Sequence, residues 1–404
     1  MSFLESLRAV ARFRSFERDP DLRRMQRAAN ISDLRAIAQK RLPGGVFDYI
    51  DGAAEDEVTY RRNESAFNRW EFVPSVLRDV SEIDTTTTLL GRPLPFPLVC
   101  APTGFTRIVE PPGELSVARA AMRKDIPYSL STLSTRSIEE VAAVSDGRKW
   151  FQVYVWKDRG LVKELVDRAA ESGYEALCIT VDLAVTGRRE RDVRRGLTLP
   201  PKLGLDTLIE GARKPSWTWR FLRADPITFA NVTNVIDRDG STAESLAEYV
   251  AEQFDPSLSW SDLAWFRSIW NGPIVIKGIQ SVADARRAVE HGVEAIALSN
   301  HGGRQLDGAP TALDLVAPVV DEVGEAVEII CDGGVRRGSD ILKAVALGAR
   351  AAMIGRPYLY GLAAGGEKGV DWVLDFFEDG LRRSMALCGV TSMAEVGRDL
   401  VKRR

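Results

Sequence analysis

Short apolar runs recur along the chain from residue 98, and each ends in a polar or glycine-containing turn. The runs are LVCAP (98–102), YSLST (128–132), WFQVYV (150–155), ALCITVD (176–182), PIVIKG (273–278), AIALSN (295–300), EIICDGG (328–334) and AAMIGRP (351–357). Between most of them apolar residues recur every three or four positions, as in residues 161–174 and 340–349, which predicts helices. Apolar strands that alternate with helices indicate a parallel sheet covered on its outer face.

Eight such units predict an α/β protein built on a closed (β/α)8 barrel, the TIM barrel. A doubly wound sheet is the alternative, but no G-x-G-x-x-G motif follows the first run. A barrel needs about 250 residues, so the chain has a surplus. We expect a single domain over residues 1–404, with a helical N-terminal extension (1–97), a barrel (98–360) and C-terminal helices (361–404). A long insertion, about 187–262, follows the fourth strand.

Nearly every apolar run ends in a residue that could bind a ligand or transfer a proton. In chain order these are Pro102, Thr103 and Gly104; Ser131; Gln152 and Tyr154; Thr180 and Asp182; Lys277; Ser299 and His301; Asp332 and Gly334; Gly355 and Arg356. Barrel active sites form where the strands end, so these side chains should meet at one rim. For a single residue a structural role would be preferred, and Lys277 could simply pair with an acidic neighbour.

The chain has two histidines, and their surroundings differ. His301 lies in SNHGGRQLD, three residues before Arg304, which places a proton acceptor beside an anion-binding guanidinium. His291 ends the helical stretch SVADARRAVEHG, where it meets the negative end of the helix dipole. We interpret His301 as catalytic and His291 as structural.

Two glycine-containing segments, DGGVRRGSD (332–340) and IGRP (354–357), follow the last two strands. This is the usual phosphate pocket of barrels, and Arg336 and Arg356 would bind the anion there. The ligand could be a phosphorylated substrate or a phosphate-bearing cofactor. Lys277, at the end of the fifth strand, favours a cofactor whose ring gains negative charge, as a flavin does on reduction.

The composition limits the function further. The net charge of −3 argues against nucleic-acid binding. No apolar run reaches the ~18 residues of a membrane span, and the N-terminus does not read as a secretory signal. None of the four cysteines forms a Cys-x-x-Cys motif, so we predict no zinc or other metal site and buried thiols in a cytoplasmic protein.

Over roughly residues 30–395 the chain resembles the FMN-dependent L-2-hydroxy acid oxidases and dehydrogenases. The motifs that carry the resemblance are FDYIDGAAEDE (47–57), APTG (101–104), FQVYVWKDR (151–159), TVDLAVTGRRERD (180–192), KGI (277–279), SNHGGRQLD (299–307), DGGVRRG (332–338) and IGRP (354–357). Many spaced motifs agree, which is far more specific than any one of them. The resemblance implies FMN as cofactor and oxidation of a small L-2-hydroxy acid to the 2-keto acid.

The resemblance also implies a role for each site residue. His301 would remove a proton from the substrate, and Asp182 would stabilise the charged imidazole. Arg189, Arg304 and Tyr49 would bind the substrate carboxylate, and Tyr154 its hydroxyl. The residues implied to contact FMN are Pro102, Thr103, Gly104, Ser131, Gln152, Thr180, Lys277, Ser299, Asp332, Gly334, Arg336, Gly355 and Arg356. Whether hydride transfer or carbanion formation comes first stays open, because both orders use the same residues.

Two departures bear on the substrate. Leu133 stands where glycolate oxidase-like members carry tryptophan, and Gly104 where they tend to carry alanine. With Phe105, Leu133 would line a small apolar pocket suited to a methyl group, so we expect L-lactate as substrate and pyruvate as product. One methylene discriminates by only ~1–3 kcal/mol. The glycine beside the flavin leaves oxidase or lactate 2-monooxygenase activity open. An FMN-dependent isomerase and a non-catalytic flavin protein are the two competing hypotheses.

We expect the electron acceptor to be a quinone or another carrier, with oxygen as the alternative. The segment around Trp217, Trp219, Arg220, Phe221 and Arg223 could lie on an anionic membrane surface, or pack on the barrel or a neighbouring subunit. The N-terminal segment, with Phe3, Leu4, Leu7 and Phe13, could also lie on a membrane. For this segment we favour packing against the barrel or a neighbouring subunit. We expect a cytoplasmic or peripheral membrane location. The resemblance implies a homo-oligomer, often a tetramer.

Overall fold

In the computed structural model the described residues are 17–195, 205–232 and 253–404. Among them, eight parallel strands pair in chain order and close into a barrel. These strands, numbered along the whole chain, are β4 (Leu98–Cys100), β5 (Tyr128–Ser131), β6 (Lys149–Tyr154), β7 (Ala176–Thr180), β8 (Ile274–Ile279), β9 (Ala295–Ser299), β10 (Glu328–Asp332) and β11 (Ala351–Ile354). The predicted (β/α)8 barrel is therefore confirmed, with each strand inside or within one residue of its predicted run.

The strand register brings the polar strand ends to one level. Thr180 pairs with Lys277, and Tyr154 pairs with Thr180 on the other side of β7. Ser299 pairs with Asp332 in the same way. Below these residues the strands are apolar and almost wholly buried, so the barrel interior is a packed core. The polar groups consequently collect at the carboxyl-end rim.

Helices cover the outside of the barrel, and those that follow the strands in sequence are α5 (Glu114–Arg123), α6 (Ile138–Val144), α7 (Arg159–Glu171), α11 (Asp262–Ile269), α12 (Val282–Glu290), α13 (Ala312–Val323), α14 (Gly338–Ala346) and α15 (Arg356–Cys388). The Ser281 side chain caps α12 by accepting a hydrogen bond from the Asp284 amide. His291 ends this helix, and its Nδ1 lies 2.8 Å from the Arg287 carbonyl oxygen. The prediction for this helix end is confirmed. The four cysteines are free and buried.

The N-terminal extension is only partly helical. Its helices are α1 (Pro20–Met25), α2 (Ile31–Arg41), α3 (Gly44–Asp51) and α4 (Val58–Ala66). It also contains β1 (Trp70–Phe72) and a hairpin of β2 (Thr87–Leu89) and β3 (Arg92–Leu94). β1 pairs antiparallel with β12 (Val401–Arg403), so the C-terminal segment ends in a strand instead of a helix. The expected boundary at residue 360 falls inside α15, which starts directly after β11.

The insertion contributes the helices α8 (Glu190–Arg195), α9 (Leu205–Arg213) and α10 (Pro215–Arg223). One face of α10 packs on the barrel loops, where the Trp217 indole donates a hydrogen bond to the Ile108 carbonyl at 2.9 Å. The other face is open, with Trp219 58% and Leu222 72% exposed. No helix of the described ranges is long and apolar enough to cross a bilayer. Phe3, Leu4, Leu7 and Phe13 lie outside the described residues.

Candidate active site

A cavity of about 620 Å³ opens at the carboxyl-end rim of the barrel. Most of the residues singled out in the sequence line it, namely Tyr49, Pro102, Thr103, Gly104, Ser131, Leu133, Tyr154, Thr180, Arg189, Lys277, His301, Arg304, Asp332, Gly334, Arg336, Gly355 and Arg356. Four others, Phe105, Gln152, Asp182 and Ser299, lie behind the wall and contact residues that line it. The volume is typical of sites for cofactors and small ligands.

His301 and Asp182 form a pair at this rim. His301 Nδ1 lies 3.0 Å from Asp182 Oδ1, and the Asp182 side chain is only 2% exposed. Burial alone would raise the pKa of Asp182, but the His301 ring and the nearby Lys277 ammonium outweigh burial and lower it. The carboxylate is thus negatively charged and fixes the imidazole with its other nitrogen available to a ligand.

The backbone around His301 is strained. His301 has a φ of 59°, in the left-handed region that residues with a Cβ rarely adopt, and Gly302 and Gly303 follow at 64° and 78°. The His301 amide donates to Ser299 Oγ at 3.0 Å. Strained backbone of this kind is often found at functional sites, where the surrounding structure holds it.

Two guanidinium groups meet above the ring of Tyr49. The guanidinium carbon of Arg304 lies 5.2 Å and that of Arg189 5.9 Å from the ring centroid. Arg304 donates to the carbonyls of Tyr49 and Gly52, and among the described residues no carboxylate forms an ion pair with it. Burial, then the charges of Arg189 and Arg356, lower its pKa to about 10. Such an excess of positive charge favours binding of an anion.

Tyr154 lines the same cavity at the end of β6. Its ring packs edge-on against Phe254 at a centroid distance of 5.4 Å. Burial, followed by the charge of Asp182, raises the pKa of its hydroxyl above the usual value. The hydroxyl therefore stays protonated at neutral pH and is able to donate a hydrogen bond.

Lys277 is held in a buried polar cluster at the ends of β8, β9 and β10. Its Nζ lies 2.7 Å from Asp332 Oδ2 and donates to Ser299 Oγ at 2.9 Å. Burial alone would lower the pKa of Lys277, but Asp332 and Asp182 outweigh burial and raise it. The sequence left pairing with an acidic neighbour as the alternative to a cofactor role. The structure shows both the pairing and a position at the cavity wall.

Two buried polar atoms near Lys277 lack partners. Thr180 Oγ1 and Gln152 Nε2 form no hydrogen bond within the described part of the chain, although both residues are almost fully buried. Gln152 uses its other amide atom, Oε1, to accept a hydrogen bond from Ser131 at 3.0 Å. Unpaired buried polar groups are costly in a folded protein, so these atoms indicate that a polar ligand edge belongs here.

The loops after β10 and β11 form the opposite end of the cavity. Gly334 has a φ of 80°, and a Cβ there would lie 2.0 Å from the Asn63 carbonyl oxygen. Arg336 pairs with Glu64 at 2.9 Å. Arg356 donates to the carbonyls of Ile50, Gly302 and Gly52. Both arginines keep N–H groups beyond these bonds, and the N-terminus of α14 adds positive potential for an anion.

The apolar side of the cavity differs in one residue from the expectation. Leu133 lines it, as expected, and a Cβ on Gly104 would lie 3.1 Å from the Leu133 carbonyl oxygen. Phe105 lies behind the wall with its ring packed on Phe229 at 5.3 Å. Phe105 has a φ of 61°, and its ring also packs edge-on against that of Tyr49 at 6.3 Å. Phe229, from the insertion, lines the cavity in its place.

Sequence reasoning missed several residues that build the site. Gln305 fixes the start of the insertion, since its amide nitrogen donates to the carbonyls of Asp182 and Val185, both at 3.0 Å. Asp192 pairs with Arg189 at 3.1 Å and lines the cavity. Both residues lie inside motifs that the resemblance had already picked out. Gln305 and Asp192 could have been found from those motifs. Phe229 lies in none of them, so no local pattern gave a reason to choose it.

Comparisons with known proteins agree on one family. A family model described as "FMN-dependent dehydrogenase" matches residues 38–403. A protein named L-lactate oxidase from Nostoc sp. is 43% identical over 91% of this chain and 96% of its own length. A protein named L-lactate dehydrogenase from Caulobacter vibrioides is 40% identical over 93% and 98%. The crystal structure of (S)-mandelate dehydrogenase, described as a monotopic membrane protein, superposes with a TM-score of 0.90 and 38% identity over 94% of this chain and all of that one.

Proposed function

The chain belongs to the FMN-dependent dehydrogenase family, and we propose on that basis that it oxidises L-lactate to pyruvate and passes the electrons to a quinone. The coarser function, FMN-dependent oxidation of an L-2-hydroxy acid, follows from the family and its named relatives. The single observation that carries the proposal is the meeting, in one cavity, of the His301–Asp182 pair with two arginines. An acid–base group beside an anion clamp suits a 2-hydroxy carboxylate.

The residues present fit FMN. Thr180 Oγ1 and Gln152 Nε2 are buried and have no hydrogen-bond partner among the described residues, and Lys277 supplies a cation at the same wall. These groups would hold the polar edge of the ring, with Ser131 and the backbone of residues 102–104 beside it. Asp332, Gly334, Arg336, Gly355 and Arg356 would hold the ribityl chain and phosphate, and Ser299 would keep Lys277 and Asp332 in place. FMN supplies the acceptor for the two electrons of the substrate.

We propose the following roles for the substrate-binding groups. Arg304 and Arg189 bind the carboxylate, with the Tyr49 hydroxyl as a third contact, and so fix the direction of the 2-hydrogen. His301 takes the hydroxyl proton, and Asp182 stabilises the resulting imidazolium. Tyr154 donates a hydrogen bond to the substrate oxygen. The same residues serve whether the 2-hydrogen leaves as hydride or as a proton.

The apolar wall supports L-lactate as substrate. Leu133 and Phe229 both border the cavity, and Phe105 supports Phe229 from behind. A wall of this kind, beside a carboxylate clamp, accommodates a methyl substituent. Relatives named for L-lactate agree with this choice. A larger aryl substituent, as in (S)-mandelate, is the alternative that the neighbouring structure raises.

The outward face of α10 supports a quinone acceptor at a membrane. Trp219 and Leu222 are exposed beside Arg223, whose guanidinium lies 3.9 Å from the Trp219 ring centroid. An amphipathic helix with aromatic, aliphatic and basic residues outward suits the interface of an anionic bilayer. The enzyme would then sit peripherally on the inner face of the membrane, where quinones dissolve. Assembly into a homo-oligomer, such as a tetramer, remains a prediction.

A second candidate function is reaction with oxygen, as an L-lactate oxidase or a lactate 2-monooxygenase. The observation that favours it is the L-lactate oxidase of Nostoc sp. among the similar proteins. In addition, Gly104 lacks the Cβ that an alanine would place beside the proposed flavin position.

Anaerobic mixing of the purified flavoprotein with L-lactate tests the proposal. We expect the flavin absorbance to bleach, and then to recover rapidly with a soluble quinone and slowly with oxygen. Rapid recovery with oxygen would instead establish the second candidate. No bleaching by L-lactate, but bleaching by another L-2-hydroxy acid in a panel, would correct the substrate. No bleaching by any member of the panel would contradict the assigned acid–base and anion-binding residues.

A further inference from the structure

A buried pair of amide side chains joins helix α4 of the N-terminal extension to the loop that carries His301. Asn63 Nδ2 donates to Asn300 Oδ1 at 2.8 Å, and Asn300 Nδ2 donates to Asn63 Oδ1 at 2.8 Å. The two residues are 237 positions apart in the chain. They are 3% and 1% exposed. Because water is excluded, each amide depends on the other for its hydrogen bonds, and the relative position of the two elements is fixed.

Asn300 uses every hydrogen-bonding position of its side chain. Its Oδ1 also accepts from the Gly303 amide at 3.1 Å, and its Nδ2 also donates to the Pro310 carbonyl at 2.9 Å. An asparagine side chain offers two N–H groups and one oxygen with two lone pairs, so all four are occupied. The Asn300 side chain therefore ties together both ends of the segment between residues 300 and 310. The two hydrogen bonds with Asn63 set the orientation of the Asn300 side chain.

That segment contains the strained turn at His301. Three consecutive residues, His301, Gly302 and Gly303, have positive φ, and His301 alone among them has a Cβ. A histidine in this conformation persists only if surrounding bonds hold it. The bond from Gly303 to Asn300 Oδ1 spans this turn. The amide pair is thus placed to maintain the backbone conformation that presents the imidazole to the cavity.

Helix α4 holds the same segment at a second point. The Asp307 carboxylate accepts hydrogen bonds from the amides of Thr59 at 2.7 Å and Val58 at 3.1 Å, at the helix N-terminus. The Asn63 carbonyl oxygen lies against the loop after β10, since a Cβ on Gly334 would be only 2.0 Å from it. Asn63 therefore contacts the loop of His301 with its side chain and Gly334 with its backbone, and its side chain also lies beside Gly333.

We propose that Asn63 is a positioning residue for His301, acting through Asn300, in the oxidation of the L-2-hydroxy acid. The inference rests on the proposed role of His301 as base. Asn63 and Asn300 do not line the cavity, and neither is among the residues proposed to contact FMN or substrate. The hydrogen bonds of Arg304 to the Tyr49 and Gly52 carbonyls do not involve the Asn63 side chain. Loss of that side chain should slow chemistry while flavin and carboxylate binding persist.

The test compares Asn63→Ala with Asn68→Ala, which makes the same substitution at an exposed site just after α4. In anaerobic mixing with L-lactate we expect Asn63→Ala to slow flavin reduction roughly 10- to 100-fold, because small displacements of a catalytic group cost this much. Bound FMN per chain and the Kd for pyruvate, followed by the flavin absorbance, should change less than about threefold. Asn68→Ala should match the wild type in all three.

Three further variants make the test independent of folding losses. Asn63→Asp is nearly isosteric and still accepts from Asn300 Nδ2, but its carboxylate cannot donate to Asn300 Oδ1, so reduction should slow with it as well. Because Asn63 acts through Asn300, the double variant Asn63→Ala/Asn300→Ala should be about as slow as Asn300→Ala alone. If the double variant instead slows flavin reduction by the product of the two single effects, the inference is wrong. It is also wrong if the loss of rate in Asn63→Ala equals the loss of bound FMN.

The inference and the proposed function fail in different ways. A wild-type protein that no L-2-hydroxy acid reduces would contradict the role of His301, and with it the inference. A wild type that L-lactate reduces normally, beside an Asn63→Ala protein of equal rate, would contradict the inference alone.

Discussion

The two histidines show how neighbours decide the role of a side chain. His291 lies at the end of α12, where its Nδ1 contacts a backbone carbonyl and its ring packs at a tilt against Trp260, with the centroids 5.5 Å apart. His301 has a buried carboxylate behind its ring and open cavity before it. Only the second arrangement joins a carboxylate partner on one ring nitrogen to a cavity from which a substrate could deliver a proton.

Replacement of each histidine by alanine should separate the two roles. His301→Ala is expected to bind FMN and to lower the rate of flavin reduction by L-lactate about 10²–10⁴-fold, the usual contribution of a general base. His291→Ala should leave the rate within about twofold, since helix-end contacts contribute only to stability. Stopped-flow absorbance measures both. A His301→Ala rate near that of the wild type would show that the base has been assigned wrongly.

At the scale of elements, strand β8 positions the acid–base pair by an irregularity. Its pairing with β9 shifts register between Lys277 and Ile279, and Gly278 lies at the shift with a φ of 109°. A Cβ at this glycine would lie 2.8 Å from Asp182 Cβ and Cγ. The bulge therefore lets Lys277 face the cavity while Asp182 packs directly on the neighbouring backbone.

We expect Gly278→Ala to push Asp182 away from His301. The rate of flavin reduction should fall roughly 10- to 100-fold, because the carboxylate must shift by several tenths of an ångström or more. Gly173→Ala is the matched control, since Gly173 also has a positive φ, 73°, but nothing lies within 4 Å of its Cβ position. The control should lose about 1 kcal/mol of stability and no activity. Equal rates for the two variants would exclude the proposed contact.

The N-terminal extension is fastened to the insertion by one buried carboxylate. Asp51, fully buried at the end of α3, accepts hydrogen bonds from Arg35 at 2.6 Å, Arg191 at 2.8 Å and the Tyr360 hydroxyl at 2.7 Å. Burial alone would raise the pKa of Asp51, but the bonds from Arg35 and Tyr360 outweigh burial and lower it. This cluster anchors the helix that carries Tyr49.

Asp51→Asn should lower the free energy of unfolding by about 2–4 kcal/mol. The loss is smaller than for a fully buried ion pair, because both arginines are partly exposed to solvent. The folded-state pKa is below the unfolded value of about 3.9, so the contribution is complete above that pH. It is lost as pH falls through the folded pKa. In urea unfolding, the free-energy difference between the wild type and Asp51→Asn should be constant from pH 8 to about pH 5 and smaller below about pH 4. Asp56→Asn, at an exposed site, should show none.

At the scale of the whole molecule, the exposed apolar side chains are not all equivalent. The outward face of α10 combines Trp219 and Leu222 with basic neighbours beside the cavity-side loops. Leu387, at the end of α15, is 73% exposed, against 72% for Leu222. If the enzyme docks on a membrane through the insertion, these two leucines should behave differently despite equal exposure.

Leu222→Ser is expected to weaken sedimentation with anionic phospholipid vesicles roughly 3- to 10-fold, since an interfacial leucine contributes on the order of 1 kcal/mol. Leu387→Ser should bind vesicles as the wild type does. Reduction by L-lactate should be unchanged in both, because neither side chain lines the cavity. Equal vesicle binding by the two variants, or none by the wild type, would argue against docking through α10.

Much of the site could be predicted from the sequence because its residues are marked locally. Each apolar run is a strand, and the residue at its end faces the rim, so Thr180, Lys277 and Asp332 could be assigned without knowing the fold in detail. The place of Phe105 behind the wall could not, because it depends on packing against Tyr49 and Phe229, which come from distant parts of the chain. Phe229 was missed for the same kind of reason, since a long insertion returns it to the barrel.

The sequence by itself determined the eight strands, the barrel and the chemical groups at its rim, because apolar periodicity and short motifs act over a few residues. Only the tertiary structure decided which groups touch. The pairing of β1 with β12, the pairing of Lys277 with Asp332 and the Asn63–Asn300 amide pair all join distant parts of the chain. Such contacts depend on how the elements pack in space, and no local pattern encodes that.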